Sequence, residues 1–290
     1  MAYYLEAILL GILQGIAEFL PISSDGHLTV FGKILGELLG TGGSMNPEEN
    51  RRLLLMVIVL HIGSLATLIV VFWKDLLDLL KKPKLVGWIL LTTAITAIIA
   101  IPFKKQLESM FDSPTIAAVG WLITAAFLWF AERMKNNTLK LEDLGWKQSV
   151  VVGIFQAIAP VPGISRSGTT ITAGLLTGLD RESSARYSFL IAMPAIAGAA
   201  ILEIVKPLVE IFLKGKPAAE AFPGTDLSVA GLAPLVVGAI VSFLVGLVAL
   251  KWLIQFIVKR GMNWFIIYLV VMATLTLLWQ AIATTVTVPV

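Results

Sequence analysis

The chain has 290 residues, of which 57% are hydrophobic and only 14% are charged. In a soluble globular domain about a quarter of the residues are charged, so this composition excludes a soluble domain and indicates an integral membrane protein. The absence of cysteine excludes disulfides and thiolate metal sites. The net charge of +3 is too small to indicate a nucleic-acid partner.

Two interrupted apolar regions and six uninterrupted ones follow one another along the chain. The first interrupted region covers residues 7–39 and is broken at 21–26. Three segments follow that are long enough for a spanning helix of about 20 apolar residues, and they are 53–73, 85–103 and 115–131. The second interrupted region covers 150–179 and is broken at 160–168. Three further spans are predicted after it, at 187–205, 227–250 and 264–288.

The two interrupted regions predict re-entrant helical hairpins. Each half of each region is too short to span a bilayer, and Pro21, Pro160 and Pro162 stop the first half-helices. Interrupted backbone at membrane depth is tolerated only where protein or a water-filled cavity satisfies its polar groups. We therefore expect both hairpins to enter the membrane and return to the side from which they came.

The hairpins also resemble each other in sequence. Residues 11–27 read GILQGIAEFLPISSDGH and residues 153–169 read GIFQAIAPVPGISRSGT, with identical residues at 8 of 17 positions. The Gln, Ser and Gly matches fall in register with the two breaks. This predicts one domain over 1–290, built from repeats at about 1–132 and 143–290, each a hairpin plus three spans. The fold class is thus an all-α polytopic membrane protein.

Three spans separate the two hairpins, so the second must enter from the opposite face, as in inverted-topology repeats. With that topology, thirteen of the 22 Lys and Arg residues lie on one side and eight on the other, and Arg166 lies in the second hairpin. The positive-inside rule places the thirteen in the cytoplasm. The mouth of the first hairpin, and any site it holds, is then expected to open to the external or periplasmic side.

The hairpins carry ionisable groups where they are most costly. Glu18, Asp25 and His27 lie in the first and Arg166 in the second, and an ionisable group at membrane depth indicates function. Gln14 and Glu18 are four residues apart and share one helix face.

The second half-helix of each hairpin begins with hydroxyl residues. Ser23 and Ser24 precede the first and Ser165 the second, where they can cap free N–H groups. Two such N-termini pointing at one place would form an anion site. Arg166 lies between Ser165 and Ser167 with Thr169 close by, and a guanidinium in this setting suits a phosphate group.

These residues carry a family resemblance. QGIAEFLPISSDGH and PGISRSGTT resemble the two signature motifs of the bacterial undecaprenyl-diphosphatase family of the bacitracin-resistance membrane type, which run (E/Q)-G-x-x-E-F-x-P-(I/V)-S-S-T-G-H and P-G-x-S-R-S-G-x-T. RYSFLIAMP and VLHIGSLATL resemble two further family segments. The resemblance covers nearly the whole chain in the right order.

The resemblance implies a phosphatase of the bacterial cytoplasmic (inner) membrane that hydrolyses undecaprenyl diphosphate to the monophosphate. This reaction recycles the lipid carrier of peptidoglycan and other cell-wall glycans and confers bacitracin resistance. Family roles map as catalytic groups onto four residues: Glu18, Ser24, His27 and Arg166. A divalent cation, Mg²⁺ or Ca²⁺, is expected at Glu18, and contacts to the diphosphate are expected from Gln14, Ser23, Ser165, Ser167 and Thr169.

Two positions depart from the family pattern. Gln14 stands where many members have a second Glu, and Asp25 stands where Thr is usual. The interpretation favoured for Asp25 is a helix cap. The role of His27 is left open: it either activates a nucleophile, which is Ser24 or water, or attacks phosphorus itself. A polyprenyl-phosphate transporter is the alternative function, because inverted repeats are a transporter plan, and a homodimer is left open.

Overall fold

The computed structural model describes residues 1–42, 51–134, 137–215, 217 and 228–286. The regular elements among these residues are helices, apart from one isolated parallel bridge between Leu139 and Leu179. The α-helices are α1 (Ala2–Ala17), α2 (Ser24–Leu39), α3 (Arg51–Val71), α4 (Trp73–Leu79), α5 (Pro83–Ala100), α6 (Lys104–Met110), α7 (Pro114–Glu132), α8 (Trp146–Ala157), α9 (Arg166–Leu176), α10 (Arg181–Phe212), α11 (Val229–Arg260) and α12 (Asn263–Val286).

The long apolar helices confirm the predicted all-α, membrane-spanning class. Within the described residues, five helices are long and apolar enough to cross a membrane, and α3 with α4 counts as a sixth if the pair is one span. The predicted spans fall on α3, α5, α7, α10, α11 and α12. Leu227 and Val288, which bound two predicted spans, lie outside the described residues. The break between α3 and α4, where the two axes differ by 71°, was not predicted.

The two interrupted regions form helix pairs, α1 with α2 and α8 with α9. Their turns touch at two glycines. A Cβ on Gly26 would come within 2.7 Å of the Cα of Gly163, so only glycine permits this approach. Gly163 itself has φ +87°, a left-handed conformation that favours glycine. The contact holds the two turns side by side.

Each hairpin packs mainly against a long helix of the other half of the chain. The first hairpin lays α1 along α11, and the second lays α8 along α5. The last helices of the halves, α7 and α12, pack on each other. This reciprocal packing agrees with two related halves, and their inverted orientation in a membrane stays a prediction.

One helix pair breaks the reciprocity. Whereas α3 packs closely along α11, the corresponding helices α5 and α10 touch at few positions. The space between α5 and α10 is a cavity that reaches the two hairpin turns. The fold therefore places one opening beside the polar residues of both hairpins.

Candidate active site

Glu18 is the hub of the site. Helix α1 ends at Ala17, and the backbone N–H of Glu18 donates to the Gln14 carbonyl oxygen. The Glu18 carboxylate is buried, and its Oε2 accepts hydrogen bonds from Ser24 Oγ at 2.6 Å and from Gln14 Nε2 at 3.0 Å. The four-residue spacing of Gln14 and Glu18 thus brings the two side chains together, as expected for one helix face.

Arg166 joins the second hairpin to the first. It is the first residue of α9, and its Nη2 donates to Glu18 Oε1 at 2.9 Å. Its Nη1 donates to the Ser188 carbonyl oxygen of α10 at 3.3 Å. Because a guanidinium carries five N–H donors, hydrogen-bonding capacity remains for an anion in the neighbouring cavity. This ion pair fixes the position of one hairpin relative to the other.

The cavity has a volume of about 400 Å³ and two distinct parts. Its polar end is formed by residues of the hairpins, namely Glu18, Ser23, Ser24, Asp25, Ser165 and Arg166. Its remaining wall comes largely from apolar residues of α5 and α10 and from Ile101 just after α5, and the helical residues include Ala97, Ala100, Ala195, Gly198, Ala199 and Leu202. Glu203, which forms an ion pair with Lys104, lies at the end of this wall. The cavity therefore suits a ligand with an anionic head and an apolar body.

The N-termini of α2 and α9 both line the polar end, and each begins with a serine cap. Ser23 Oγ accepts from the Gly26 N–H at 3.2 Å, and Ser165 Oγ accepts from the Gly168 N–H at 3.1 Å. The cap of α2 is therefore Ser23, and the favoured interpretation of Asp25 as the cap is wrong. The carboxylate of Asp25 instead lies in the cavity wall.

His61 is the residue of this site that sequence reasoning missed. Its Nε2 lies 3.5 Å from Glu18 Oε2 and 3.7 Å from Asp25 Oδ1. Its Nδ1 donates to the Val57 carbonyl oxygen at 2.8 Å, which fixes the orientation of the ring. An imidazole in the middle of an apolar span was a signal, but the span by itself did not show which way the ring faces.

Two residues of the second signature motif use their hydroxyls on backbone. Ser167 Oγ donates to the Leu20 carbonyl oxygen at 3.1 Å and so ties α9 to the first hairpin. Thr169 Oγ1 donates to the carbonyl oxygens of Ser165 and Arg166, both at 2.9 Å. The structure places Ser165 and Arg166 in the cavity wall, and it does not bring Ser167 or Thr169 there.

His27 does not join the group around Glu18. It is fully buried, its Nδ1 lies 2.7 Å from the Ser23 carbonyl oxygen, and its Nε2 lies 2.7 Å from the Tyr268 hydroxyl. The ring stacks against Phe31 and Tyr268 and packs beside Trp121. Both ring nitrogens are therefore occupied by protein groups, and His27 is not among the residues that line the cavity.

The fit of a divalent cation depends on the oxygen donors. In the described part of the chain, no three Asp, Glu, His or Cys side chains lie close enough to hold a metal ion on their own. Two carboxylates, those of Glu18 and Asp25, do lie at the polar end of the cavity. Mg²⁺ is often held by one or two carboxylates together with substrate phosphates. The residues therefore fit a cation that shares its ligands with a diphosphate.

The fold and site define a multi-pass membrane protein with a buried, phosphate-compatible site between two helical hairpins. The family model described as bacitracin resistance protein BacA matches residues 7–275, and the chain belongs to this family. An undecaprenyl-diphosphatase of Rhodopirellula baltica is 39% identical over 91% of this chain and 93% of its own length. The undecaprenyl-diphosphatase of Carboxydothermus hydrogenoformans is 35% identical, over 95% and 97%. Undecaprenyl-diphosphatase 4 of Bacillus cereus is 37% identical, over 91% and 93%.

Proposed function

We propose that the protein hydrolyses undecaprenyl diphosphate to undecaprenyl phosphate and inorganic phosphate. The observation that carries this proposal is the 2.6 Å hydrogen bond from Ser24 Oγ to Glu18 Oε2 beside Arg166, at the polar end of an apolar-walled cavity. A serine hydroxyl that donates a hydrogen bond to a carboxylate, next to an arginine guanidinium held in place, is suited to attack on a phosphate. The names of the relatives point to the same reaction.

Binding of the head group falls to Arg166 and the two helix N-termini. The N–H groups of Arg166 that are left over from Glu18 and Ser188 donate to the terminal phosphate. The N-termini of α2 and α9 add their positive dipole ends. A divalent cation, when bound by Glu18 and Asp25, neutralises further charge on the diphosphate. Positioning and charge neutralisation are the main requirements of phosphoryl transfer.

Ser24 supplies the nucleophile in this proposal. Its oxygen forms a bond to the terminal phosphorus while its proton passes to Glu18 Oε2. The bond between that phosphorus and the bridging oxygen breaks, and undecaprenyl phosphate leaves with the proton from Glu18. Water then attacks the phosphorus of the phosphoserine and gives a proton to Glu18. The bond between phosphorus and Ser24 Oγ breaks, inorganic phosphate leaves, and Glu18 returns the proton to Ser24 Oγ. Of the alternatives left open by the sequence, those that use His27 as the activating base or as the nucleophile have least support, because its two ring nitrogens contact the Ser23 carbonyl and the Tyr268 hydroxyl.

The apolar wall supports a lipid substrate. Helices α5 and α10 offer small side chains, such as Ala97, Gly198 and Ala199, along the space that leads from Arg166. A prenyl chain that lies there exchanges contacts with lipid tails for contacts with these helices, so close packing stabilises it. A free diphosphate would not need such a wall. The cavity therefore supports a substrate whose chain lies between two membrane helices.

The proposed setting is the bacterial cytoplasmic membrane, with the site opening outward. The apolar wall ends at Ile101 and Leu202, on the side that the loop charges assign to the exterior. One chain supplies the described polar end, through its two hairpins and His61 of α3, so a homodimer, if formed, would not be needed to complete it. The lipid product serves as carrier for peptidoglycan and other cell-wall glycans.

A polyprenyl-phosphate transporter is the second candidate, favoured by the reciprocal packing of the halves alone. One experiment separates the two. The purified protein in liposomes is given undecaprenyl diphosphate with Mg²⁺, and both released phosphate and lipid movement between leaflets are measured. Release of phosphate, whether or not lipid moves between the leaflets, supports the hydrolase. Movement of labelled lipid with no release across several divalent cations would overturn it in favour of the transporter.

A further inference from the structure

His27 lies in a chain of short contacts that runs from the last helix to the turn of the first hairpin. The Ser23 carbonyl can only accept, so His27 Nδ1 donates to it at 2.7 Å. In the neutral imidazole, Nε2 then accepts from the Tyr268 hydroxyl, also at 2.7 Å. The relay thus runs from Tyr268 through His27 to the backbone of Ser23.

The backbone that this relay holds is strained. Ser23 has φ +68° and ψ +100°, and it is the non-glycine residue with positive φ among the described residues. Such a conformation costs of the order of 1–3 kcal/mol and persists only where surrounding contacts enforce it. Ser23 must adopt it because the chain turns sharply between Pro21 and the start of α2. The hydrogen bond from His27 is one of the contacts that hold this turn.

The turn places the nucleophile. Ser24 follows Ser23 directly, and its Oγ lies 2.6 Å from Glu18 Oε2. A rotation of the Ser23 peptide would move Ser24 Oγ relative to that carboxylate. Aromatic packing fixes the far end of the relay, since the ring of His27 stacks at 5.6 Å on that of Tyr268 with an interplanar angle of 6°. The position of Ser24 therefore depends on Tyr268.

We propose that Tyr268 and His27 are positioning residues that hold Ser24 against Glu18 through the carbonyl of Ser23, and that His27 does not touch the reacting phosphate. This inference rests on the proposed function for its readout. Tyr268 of α12 thereby has a role, although it lies far from both signature motifs in the sequence. The histidine of the first motif likewise has a hydrogen-bonding role in place of a chemical one.

The test compares variants that keep or remove single hydrogen bonds. Asparagine can donate an N–H from a place close to Nδ1 but cannot act as a base or form a phosphohistidine. We expect His27→Ala to lower kcat by about a hundredfold and His27→Asn to recover about a tenth of the wild-type value. Tyr268→Phe keeps the stacked ring and removes one hydroxyl. It should lower kcat about fivefold to tenfold with KM for undecaprenyl diphosphate within about twofold.

Tyr4→Phe is the matched control, because Tyr4 and Tyr268 are both 38% exposed and Tyr4 lies at the start of α1. It should leave kcat unchanged. Thermal unfolding of each purified variant shows whether it is folded. If His27→Ala is unfolded, the kcat of Tyr268→Phe tests the proposal. Folded His27→Asn as inactive as His27→Ala, full activity in Tyr268→Phe, or a phosphohistidine trapped with labelled substrate would each overturn the proposal. If the wild-type protein releases no phosphate, the proposed function itself is rejected.

Discussion

Glu18 and Arg166 are 148 residues apart in the sequence and form a 2.9 Å ion pair between the two hairpins. Each residue alone would be a costly charge inside a membrane protein. Together they satisfy each other and leave Arg166 with donors for an anion. The pair therefore has two consequences, one for stability and one for catalysis.

The stability consequence appears when one partner is removed. Arg166→Met leaves the buried Glu18 carboxylate without its cation, which we expect to cost about 3–5 kcal/mol of unfolding free energy. The double variant Glu18→Leu with Arg166→Met removes both charges and should be more stable than Arg166→Met alone. Thermal unfolding in detergent gives the melting temperatures of the single and the double variant and shows which is more stable. Equal melting temperatures for the single and double variants would show that the pair does not couple the hairpins.

The sequence predicted the parts of this site that local rules determine. The first half-helix ends before Pro21, a serine caps the next one, and Gln14 and Glu18 share a helix face by spacing alone. The same rules predicted that the two motifs lie in hairpins, which the structure brings together at Arg166. These predictions need only neighbours within one turn of helix, where sequence determines geometry directly.

The other features of the site depend on how each helix is rotated about its own axis relative to its neighbours. His61 points at Glu18 because of the orientation of α3, which the nearly uniform apolarity of that span does not reveal. In α2, two residues correspond to about 200° of rotation, so Asp25 and His27 point to opposite sides. The motif SDGH therefore places Asp25 in the cavity wall and His27 against Tyr268. The bend between α3 and α4 is likewise a tertiary feature.

Ser24 is predicted to form the covalent intermediate. Ser24→Ala removes the hydroxyl that lies 2.6 Å from Glu18, so kcat should fall at least about a hundredfold while KM changes little. Rapid acid quenching of wild-type protein with substrate labelled at the terminal phosphate should yield a phosphopeptide containing Ser24. Substantial activity in Ser24→Ala would assign the attack to water held by Glu18.

The space between α5 and α10 is predicted to select for chain length. A Cβ on Gly198 would meet nothing within 4 Å, so Gly198→Leu can be accommodated while filling part of the cavity. We expect kcat/KM to fall at least about tenfold for undecaprenyl diphosphate and less for a short prenyl diphosphate.

Gly87 is the matched control for this prediction. A Cβ there would also meet nothing within 4 Å, and the residue lies in α5 outside the cavity wall. Gly87→Leu should affect neither substrate. Equal losses with long and short chains in Gly198→Leu would show that the prenyl chain binds elsewhere.

Asp25 is predicted to support cation binding by the substrate complex. The carboxylates of Asp25 and Glu18 both lie close to His61 Nε2, at 3.7 Å and 3.5 Å. Removal of divalent cations with EDTA should abolish phosphate release, and Mg²⁺ or Ca²⁺ should restore it. In Asp25→Asn the cation concentration for half-maximal rate should rise about tenfold or more, with KM for the lipid little changed. An unaltered cation requirement would limit the role of Asp25 to electrostatics around His61.

The contact between the two hairpins is predicted to be the hydrolytic site. The most direct measurement is phosphate release from undecaprenyl diphosphate by wild-type protein, Glu18→Gln and Arg166→Gln, with the exposed Lys140→Gln as a control for purification and assay. We predict release by wild type and Lys140→Gln, and a loss of at least about a hundredfold in each of the other two. Wild-type rates in folded Glu18→Gln or Arg166→Gln would contradict the claim and place the reaction outside this cavity.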